Sequence, residues 1–511
     1  MTSRLLVVII IAGTIVCASA PAQRRASFTI LHYNDYHAQY LPLKVSKKDA
    51  AGQPVRYEVG GAASFKTALN TLSKLDPNVI VLNAGDNFQG TPISSMTRGE
   101  ADIRVMNLLA PDAATLGNHE FDFSADTLRE RLKKLNISLV STNLWDKTTG
   151  KPFIPQTLVK SIGGIKLGVL GLAPPDLAIL AMRENVRGLT VLDLLTSVKN
   201  AIHELRMKEK PDLIVVISHM GVDMDSVLAS KEKSIDIIVG GHSHTPLFVP
   251  KKVGRTVICQ AGSNSRYVGE LRLQVDLDGD SLLSYSGRLV ETAVENFPPD
   301  PATAAVVDSL ESIVASTLNT IIGTLAVKWE RSYNHESNIG NWHADAMRAA
   351  GKSDIAFLNS GGLRKDLDTG SIRIRDIWEI NPFGNELITF KVTGSQLRRM
   401  LEWQLSGNHE PLQVSGITYT YDGRKTEGHR LVSAAVNSKA LTMDRRYSIT
   451  VNDYTAGHLH DIFGLPESRI RVHRTGIIDR DAFIEEVKRQ KIVTSAIEGR
   501  IKNLWEEGLN R

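Results

Sequence analysis

The stretch Leu116-Gly117-Asn118-His119-Glu120-Phe121-Asp122 sets an amide, an imidazole and two carboxylates within a few residues of one another. Asn118 offers an amide oxygen to a hard or borderline metal. His119 and Asp122 lie one turn apart at the mouth of an expected helix running from Asp122 to Leu135. A carboxylate within reach of an imidazole holds it in one tautomer and favours its charged form. Read alone, the same residues serve equally well as ordinary caps of a helix N-terminus. The other histidines tip the balance toward chemistry.

Asp35 and His37 are spaced i, i+2, so on an extended strand end they point to one side. Asp86 stands beside Gly85, His219 follows Ser218, and His242 and His244 sit in Gly241-His242-Ser243-His244. With Asn118, these residues occupy five separate strand ends. The mixture of carboxylate, imidazole and amide suits zinc, manganese or iron better than an all-oxygen magnesium site. The set is too large for one tetrahedral ion and suits two metals sharing one carboxylate. Such a pair clamps a phosphoryl group.

Elements must bring these ends together. Buried strands are expected at Phe28 to His32, Val79 to Asn83, near Ala113, Ile137 to Val140, Ile165 to Leu172, Leu213 to Ile217 and Ile235 to Val239. Helices are expected from Gly61 through Leu75, near Ala101 to Leu109, and from Val191 to Lys208. Continuous apolar strands alternating with helices indicate an α/β domain whose sheets are covered. Polar residues follow each strand, where α/β folds place their sites. His32 is displaced from Asp35 and His37 and reads as structural. The Lys-rich stretch Leu43 to Gly52 reads as a surface insertion. Arg255 to Gln260 and Val268 to Val275 read as closing strands, and Asp276 to Asp280 as a hairpin turn rather than a calcium loop.

Phe297-Pro298-Pro299-Asp300-Pro301 breaks the chain, and a helical pattern from Ala304 to Leu318 follows as a linker helix. From about Gly323 a second, smaller α/β unit begins. Its Asn359-Ser360-Gly361-Gly362-Leu363-Arg364 joins glycines, for close backbone approach, to a guanidinium that can grip a phosphate. Phe383 and Tyr454 stand in turns bearing Gly or Asn, where they serve either a ligand or the core. His458 and His460 read as exposed loop residues.

With 511 residues the chain is long enough for two or three domains. A net charge of +4 gives no basis for a nucleic-acid or anionic-membrane partner. Arg4, the apolar run Leu5 to Val16 and the small residues Ala18 to Ala22 form a secretory signal, with cleavage expected after Ala22. A lipid-anchored reading would use Cys17. The run is short for a membrane span, and none of the later segments is longer. The mature chain then keeps only Cys259, a buried strand residue with no disulfide partner. A periplasmic or extracellular address follows; nothing in the sequence sets an oligomeric state.

The motifs Asn34-Asp35-x-His37, Gly85-Asp86-Asn87, Gly117-Asn118-His119-Glu120, Ser218-His219 and Gly241-His242-Ser243-His244, in this order, resemble those of the calcineurin-like metallophosphoesterases. The second half resembles the C-terminal domain of the secreted 5'-nucleotidase family, which includes bacterial UDP-sugar hydrolases. The resemblance implies an N-terminal β-sandwich flanked by helices (26–298) after the signal peptide (1–22). A linker helix (299–322) and a substrate-binding domain (323–511) complete the chain.

It also implies roles. One divalent ion is held by Asp35, His37, Asp86 and His244, the other by Asp86, Asn118, His219 and His242, with Asp86 bridging. His119, oriented by Asp122, approaches the phosphoryl group from the metal-free side, and Glu120 supports the ligands. Asn359 and Arg364 face phosphate or ribose, and Phe383 and Tyr454 sandwich the base. The chain departs from the family after the second aromatic, where Gly457-His458-Leu459-His460-Asp461 replaces a Gly-Gly-Asp. Asp461 is the expected substitute acid, and Arg331 the nearest match to an upstream arginine. The resemblance therefore points to a secreted phosphohydrolase of nucleoside 5'-monophosphates, with nucleotide diphosphate sugars as further substrates. Asp35-Tyr36-His37-Ala38-Gln39 also resembles the thiosulfohydrolases of the same superfamily, which carry tryptophan where this chain has Asn118. A catalytically silent nucleotide-binding protein is the reading from another class.

Overall fold

The computed structural model describes residues 24–48, 52–406, 409, 412–466 and 470–505. The signal segment and Cys17 lie outside these residues. Two sheets face each other in the first half. One runs in the order Ser281–Glu291, Tyr267–Asp276, Arg25–Tyr33, Val79–Asn83 and Ala113–Ala114. The other runs Lys251–Val253, Thr256–Cys259, Ile237–Gly240, Leu213–Ser218, Ile165–Leu172 and Thr157–Ile162. Phe28, Ile30 and Leu82 of the first sheet share one core with Val169, Val215 and Val239 of the second.

The register explains why the polar residues converge. Arg25–Tyr33, Val79–Asn83 and Ala113–Ala114 are parallel, with Tyr33 beside Asn83 and Asn83 beside Ala114. Leu213–Ser218 and Ile237–Gly240 are also parallel, with Ser218 beside Gly240. The strands stop level with one another, so the residues after them gather on one edge of the sandwich. Buried on both faces, these strands need continuous apolar runs, which their sequences supply.

Several expected elements differ. His119–Phe121 is a single 3-10 turn, and the helix begins only at Ala125 and ends at Leu132. Ser124 caps it by accepting from the Thr127 amide. Ile137 to Val140 is not a strand; it contributes one bridge, between Leu139 and Ala114. The helix expected from Val191 starts at Leu194, behind the Asp193 cap, because Leu189–Val191 is drawn into a small sheet with Leu144–Asp146. Leu43–Lys48 is a strand paired antiparallel with Pro54–Val59. His32 is buried against Gly269, and burial lowers its pKa to about 4, consistent with a structural role. Cys259 is buried in its strand.

Asp300 caps the helix Pro301–Leu318. Its residues Val307, Leu310, Val314 and Leu318 fall on one helical stripe and pack with Phe65 and Leu69 of the helix Ala62–Ser73. The second domain is built on the sheet Leu412–Ser415, Ile355–Asn359, Arg446–Asn452, Glu386–Thr393 and His473–Ile478. Asn338–Ala350 and Asp479–Gln490 cover one face, and Gly394–Gln404 and Leu459–Phe463 the other. Ile355–Asn359 and Arg446–Asn452 are parallel neighbours, so Asn359 and Tyr454 emerge at the same edge. No helix among the described residues is long and apolar enough to cross a membrane.

Candidate metal centre and substrate cavity

Six side chains at the sandwich edge stand on left-handed backbone. Asp35, His37, Asp86, Gln89, His242 and His244 have φ between 49° and 74°. Such conformations cost free energy in non-glycine residues and concentrate at functional sites. At Gly117 a Cβ would lie 2.2 Å from Asp86 Oδ1, so only glycine lets the two loops meet.

Asp35, His37 and His244 form one cluster of ligating atoms, and Asp86, His219 and His242 a second; His37, Asp86 and His119 form a third. His244 Nε2 lies 3.2 Å from Asp35 Oδ1. Asp86 Oδ2 lies 3.0 Å from His219 Nε2 and 4.0 Å from His37 Nε2, between the first two clusters. Asn118 Oδ1 lies 3.1 Å from His242 Nδ1. The seven residues singled out as ligands are thus brought together from strand ends that are far apart in sequence.

The donor atoms fit a cation. His219 Nδ1 is 2.6 Å from the Ala84 carbonyl and His37 Nδ1 is 3.2 Å from that of Gln89. A carbonyl can only accept, so each Nδ1 carries a proton and each Nε2 faces inward as the atom available to a cation. His37 Nε2 and His244 Nε2 face each other at 3.0 Å. His219 Nε2, fully buried, stands beside Asp86 with no hydrogen-bond geometry to any described group. Burial alone would neutralise these groups, and it lowers His37 and holds His242 near 4, each helped by a neighbouring imidazole. Against burial, the flanking imidazoles hold Asp35 and Asp86 ionised, while Asp86 and Asp35 raise His219 to about 10. Two buried carboxylates that demand positive charge, ringed by inward-facing imidazole nitrogens, form a divalent-metal environment in which a cation replaces the proton on His219.

The support is equally specific. Glu120 accepts from the backbone amides of Gly117 at 2.6 Å, Asn87 at 2.6 Å and Asp86 at 3.1 Å, locking two ligand loops together. His119 stands against His37 and Asp86, its amide donating to Asp86 Oδ1 at 2.9 Å and its Nδ1 lying 2.8 Å from Asp122 Oδ2. Burial opposes its charge, but Asp122 and Asp86 together raise its pKa.

A cavity of about 250 Å³ opens above this edge. The first domain lines it with Asn118, His119, Asp122 and His242, the second with Asn359, Arg364, Phe383 and Tyr454. Phe383 lies with its ring centroid 5.9 Å from that of His119. Asn359 Oδ1 accepts from Asn452 at 2.9 Å, which fixes its rotamer. Sequence reasoning missed Gln89 and the wall formed by Leu180, Met182 and Asn185. That wall carries no motif; its only sequence signal is Pro174-Pro175, which marks a loop.

Two expected substrate residues lie elsewhere. Asp461 does not line the cavity; its carboxylate pairs with Arg183 of the first domain at 2.9 Å. Arg331 also stands back, donating to the Arg364 carbonyl at 2.6 Å and facing Asp366. Each is held by a nearer charge or carbonyl, so neither reaches the substrate space. His458 is buried rather than exposed, bridging the Tyr454 carbonyl at 2.7 Å and the Ala178 carbonyl at 3.3 Å, while His460 is exposed.

Residues 28–246 match the family model described as calcineurin-like phosphoesterase, and residues 318–463 that of the 5'-nucleotidase C-terminal domain. The chain is 30% identical over 454 residues to the endonuclease YhcR of Bacillus subtilis, covering 83% of this chain but 37% of that larger protein. It is 29% identical to the apyrase of Tabanus yao, covering 94% of each. Among solved structures, the 5'-nucleotidase precursor of Thermus thermophilus superposes with a TM-score of 0.84 at 28% identity, covering 94% of this chain and 99% of that one.

Proposed function

Because the chain belongs to the calcineurin-like phosphoesterases that carry a 5'-nucleotidase C-terminal domain, we propose that this phosphoester hydrolase releases phosphate from nucleoside 5'-monophosphates outside the cytoplasm. Nucleotide diphosphate sugars are the second substrate class of the same reading. The observation that carries it is one cavity lined both by Asn118, His119 and His242 of the first domain and by Arg364, Phe383 and Tyr454 of the second. Polar and cationic groups for a phosphoryl group and aromatic faces for a base share that one space, as a nucleotide requires.

The proposed centre takes two divalent ions of the zinc or manganese type, one at Asp35, His37, Asp86 and His244, the other at Asp86, Asn118, His219 and His242. Bound there, such ions activate water near neutral pH and neutralise phosphoryl oxygens. The chain's own groups do the rest. Asp122 keeps a proton on His119 Nδ1, and Asp86 helps keep the ring charged, so Nε2 donates to a phosphoryl oxygen as negative charge builds there. Arg364 adds a second fixed cation at the same end. Phe383 and Tyr454 bury the base and hold the ester in line. Tyr454 is itself fixed, donating to the Ile179 carbonyl at 3.0 Å. The signal segment supports a secreted address.

The deciding experiment is phosphate release from AMP by manganese-loaded wild type and His119→Ala. A loss of at least about a hundredfold in kcat is expected. Equal rates would remove His119 from the reaction, and no release from AMP, other monophosphates or UDP-glucose would remove the reading. Asn118, where the thiosulfohydrolases carry tryptophan, speaks against that alternative.

A further inference from the structure

We propose that Gln89 is a substrate-binding residue whose carboxamide reads a hydroxyl of the substrate's sugar; this rests on the nucleotide reading of the cavity. Gln89 is 1% exposed and lines the cavity. Among the described residues neither its Oε1 nor its Nε2 has a hydrogen-bond partner. No other cavity-lining residue combines burial with unpartnered side-chain atoms in this way. A buried amide left bare is costly and calls for an explanation.

Its backbone, by contrast, is pinned. The Gln89 amide donates to Ser94 Oγ at 3.0 Å, and Ser94 Oγ donates to the buried Asp102 at 2.7 Å. Tyr40 donates to the other oxygen of Asp102 at 2.7 Å. The Gln89 carbonyl holds His37 Nδ1, and its φ of 63° is left-handed. At Gly90, a Cβ would lie 2.3 Å from the His37 carbonyl, so the next residue must be glycine for this approach. The protein thus holds the residue rigidly in an unfavourable conformation while giving its side chain nothing to bind.

The chemistry of the carboxamide selects the partner. Nε2 donates and Oε1 accepts. Phosphoryl oxygens only accept and would leave Oε1 bare; a hydroxyl satisfies both atoms. Position agrees. Gln89 touches the metal end through His37, and six residues on Ser95 donates to the Pro382 carbonyl at 3.0 Å, next to Phe383. The segment 89–95 therefore links the ligand His37 to the loop that carries Phe383, with Gln89 and Ser95 lining the cavity between the metal edge and the second domain, where a sugar joining phosphate to base would lie. Among the described residues no carboxylate competes for this role: Asp122, which lines the cavity, is committed to His119, and Asp461 lies outside the lining, paired with Arg183.

The test is kcat/KM for AMP, 2'-deoxy-AMP, 3'-deoxy-AMP and 2',3'-dideoxy-AMP, with manganese-loaded wild type and Gln89→Leu. Wild type is expected to prefer AMP over the dideoxy ester by about tenfold or more. Gln89→Leu is expected to lose that preference by slowing on AMP alone, with metal content unchanged. A uniform loss on all four esters, or no change on any, overturns the proposal. Should the variant fail to fold or to hold metal, the wild type still decides, because equal kcat/KM on AMP and the dideoxy ester overturns it too. No turnover of any ester by the metal-loaded wild type removes the nucleotide reading, and this inference with it.

Discussion

His119 Nδ1 stands 2.8 Å from Asp122 Oδ2 across one 3-10 turn, and both side chains are largely buried. The carboxylate fixes which nitrogen carries the proton and leaves Nε2 facing the cavity. Asp122→Asn keeps the shape but presents an amide that can hold the wrong tautomer. Steady-state kinetics should show kcat falling about ten- to a hundredfold with KM little changed. A rise in KM alone would mean that Asp122 only shapes the pocket.

Glu120 gathers three backbone amides from two ligand-bearing loops. Glu120→Gln turns an NH₂ group toward at least one of those N–H donors. Manganese affinity, measured by titration of the chelator-stripped protein, is expected to weaken about ten- to a hundredfold. Unchanged affinity would show that the loops hold themselves.

Asp35 and Asp86 lie buried in one cluster of charge, and a cation between them removes their mutual repulsion. Stripping the protein with a chelator should lower Tm, and returning manganese should raise it as the logarithm of free metal concentration. A Tm indifferent to metal would place the ions elsewhere or nowhere.

Burial pushes the Asp102 carboxyl up to about 7, despite the hydrogen bonds from Tyr40 and Ser94 that favour its charge. An unfolded aspartate titrates near 3.8. The folded state therefore binds the extra proton between these values, and stability falls as pH rises through that window. Asp102→Asn removes this dependence while keeping an acceptor for Tyr40. The Tm of the variant minus that of wild type should increase from pH 5 to pH 8, and a difference that stays flat would refute the burial argument.

The Arg183–Asp461 pair ties the wall of the cavity to the second domain and is partly exposed. Exposed pairs contribute at most about 1 kcal/mol. Arg183→Ala should raise KM less than about fivefold and leave kcat unchanged, with the difference shrinking at high salt. A collapse of kcat would give Arg183 a direct part in the reaction.

The ligand set was legible because each residue comes after an apolar strand, and parallel strands that end level must present their next residues to one edge. Asp35, Asp86, Asn118, His219 and His242 needed only that rule and their chemistry. Asn359, Arg364, Phe383 and Tyr454 were found through turns and a resemblance, and the fold set them on one cavity. The start of the helix at Ala125, the loss of a strand at Ile137 to Val140 and the pairing of Leu189–Val191 depended on tertiary partners that outweigh local pattern. Only the tertiary structure decided what Asp461 and Arg331 do, because their partners, Arg183 and the Arg364 carbonyl, come from remote segments. Gln89 belongs with them: a bare buried amide is visible only once every neighbour is in place. Periodicity and residue type fix where a strand ends and which side chains stand beyond it. Whether a polar group is paired depends instead on distances between segments, which the order of residues does not contain.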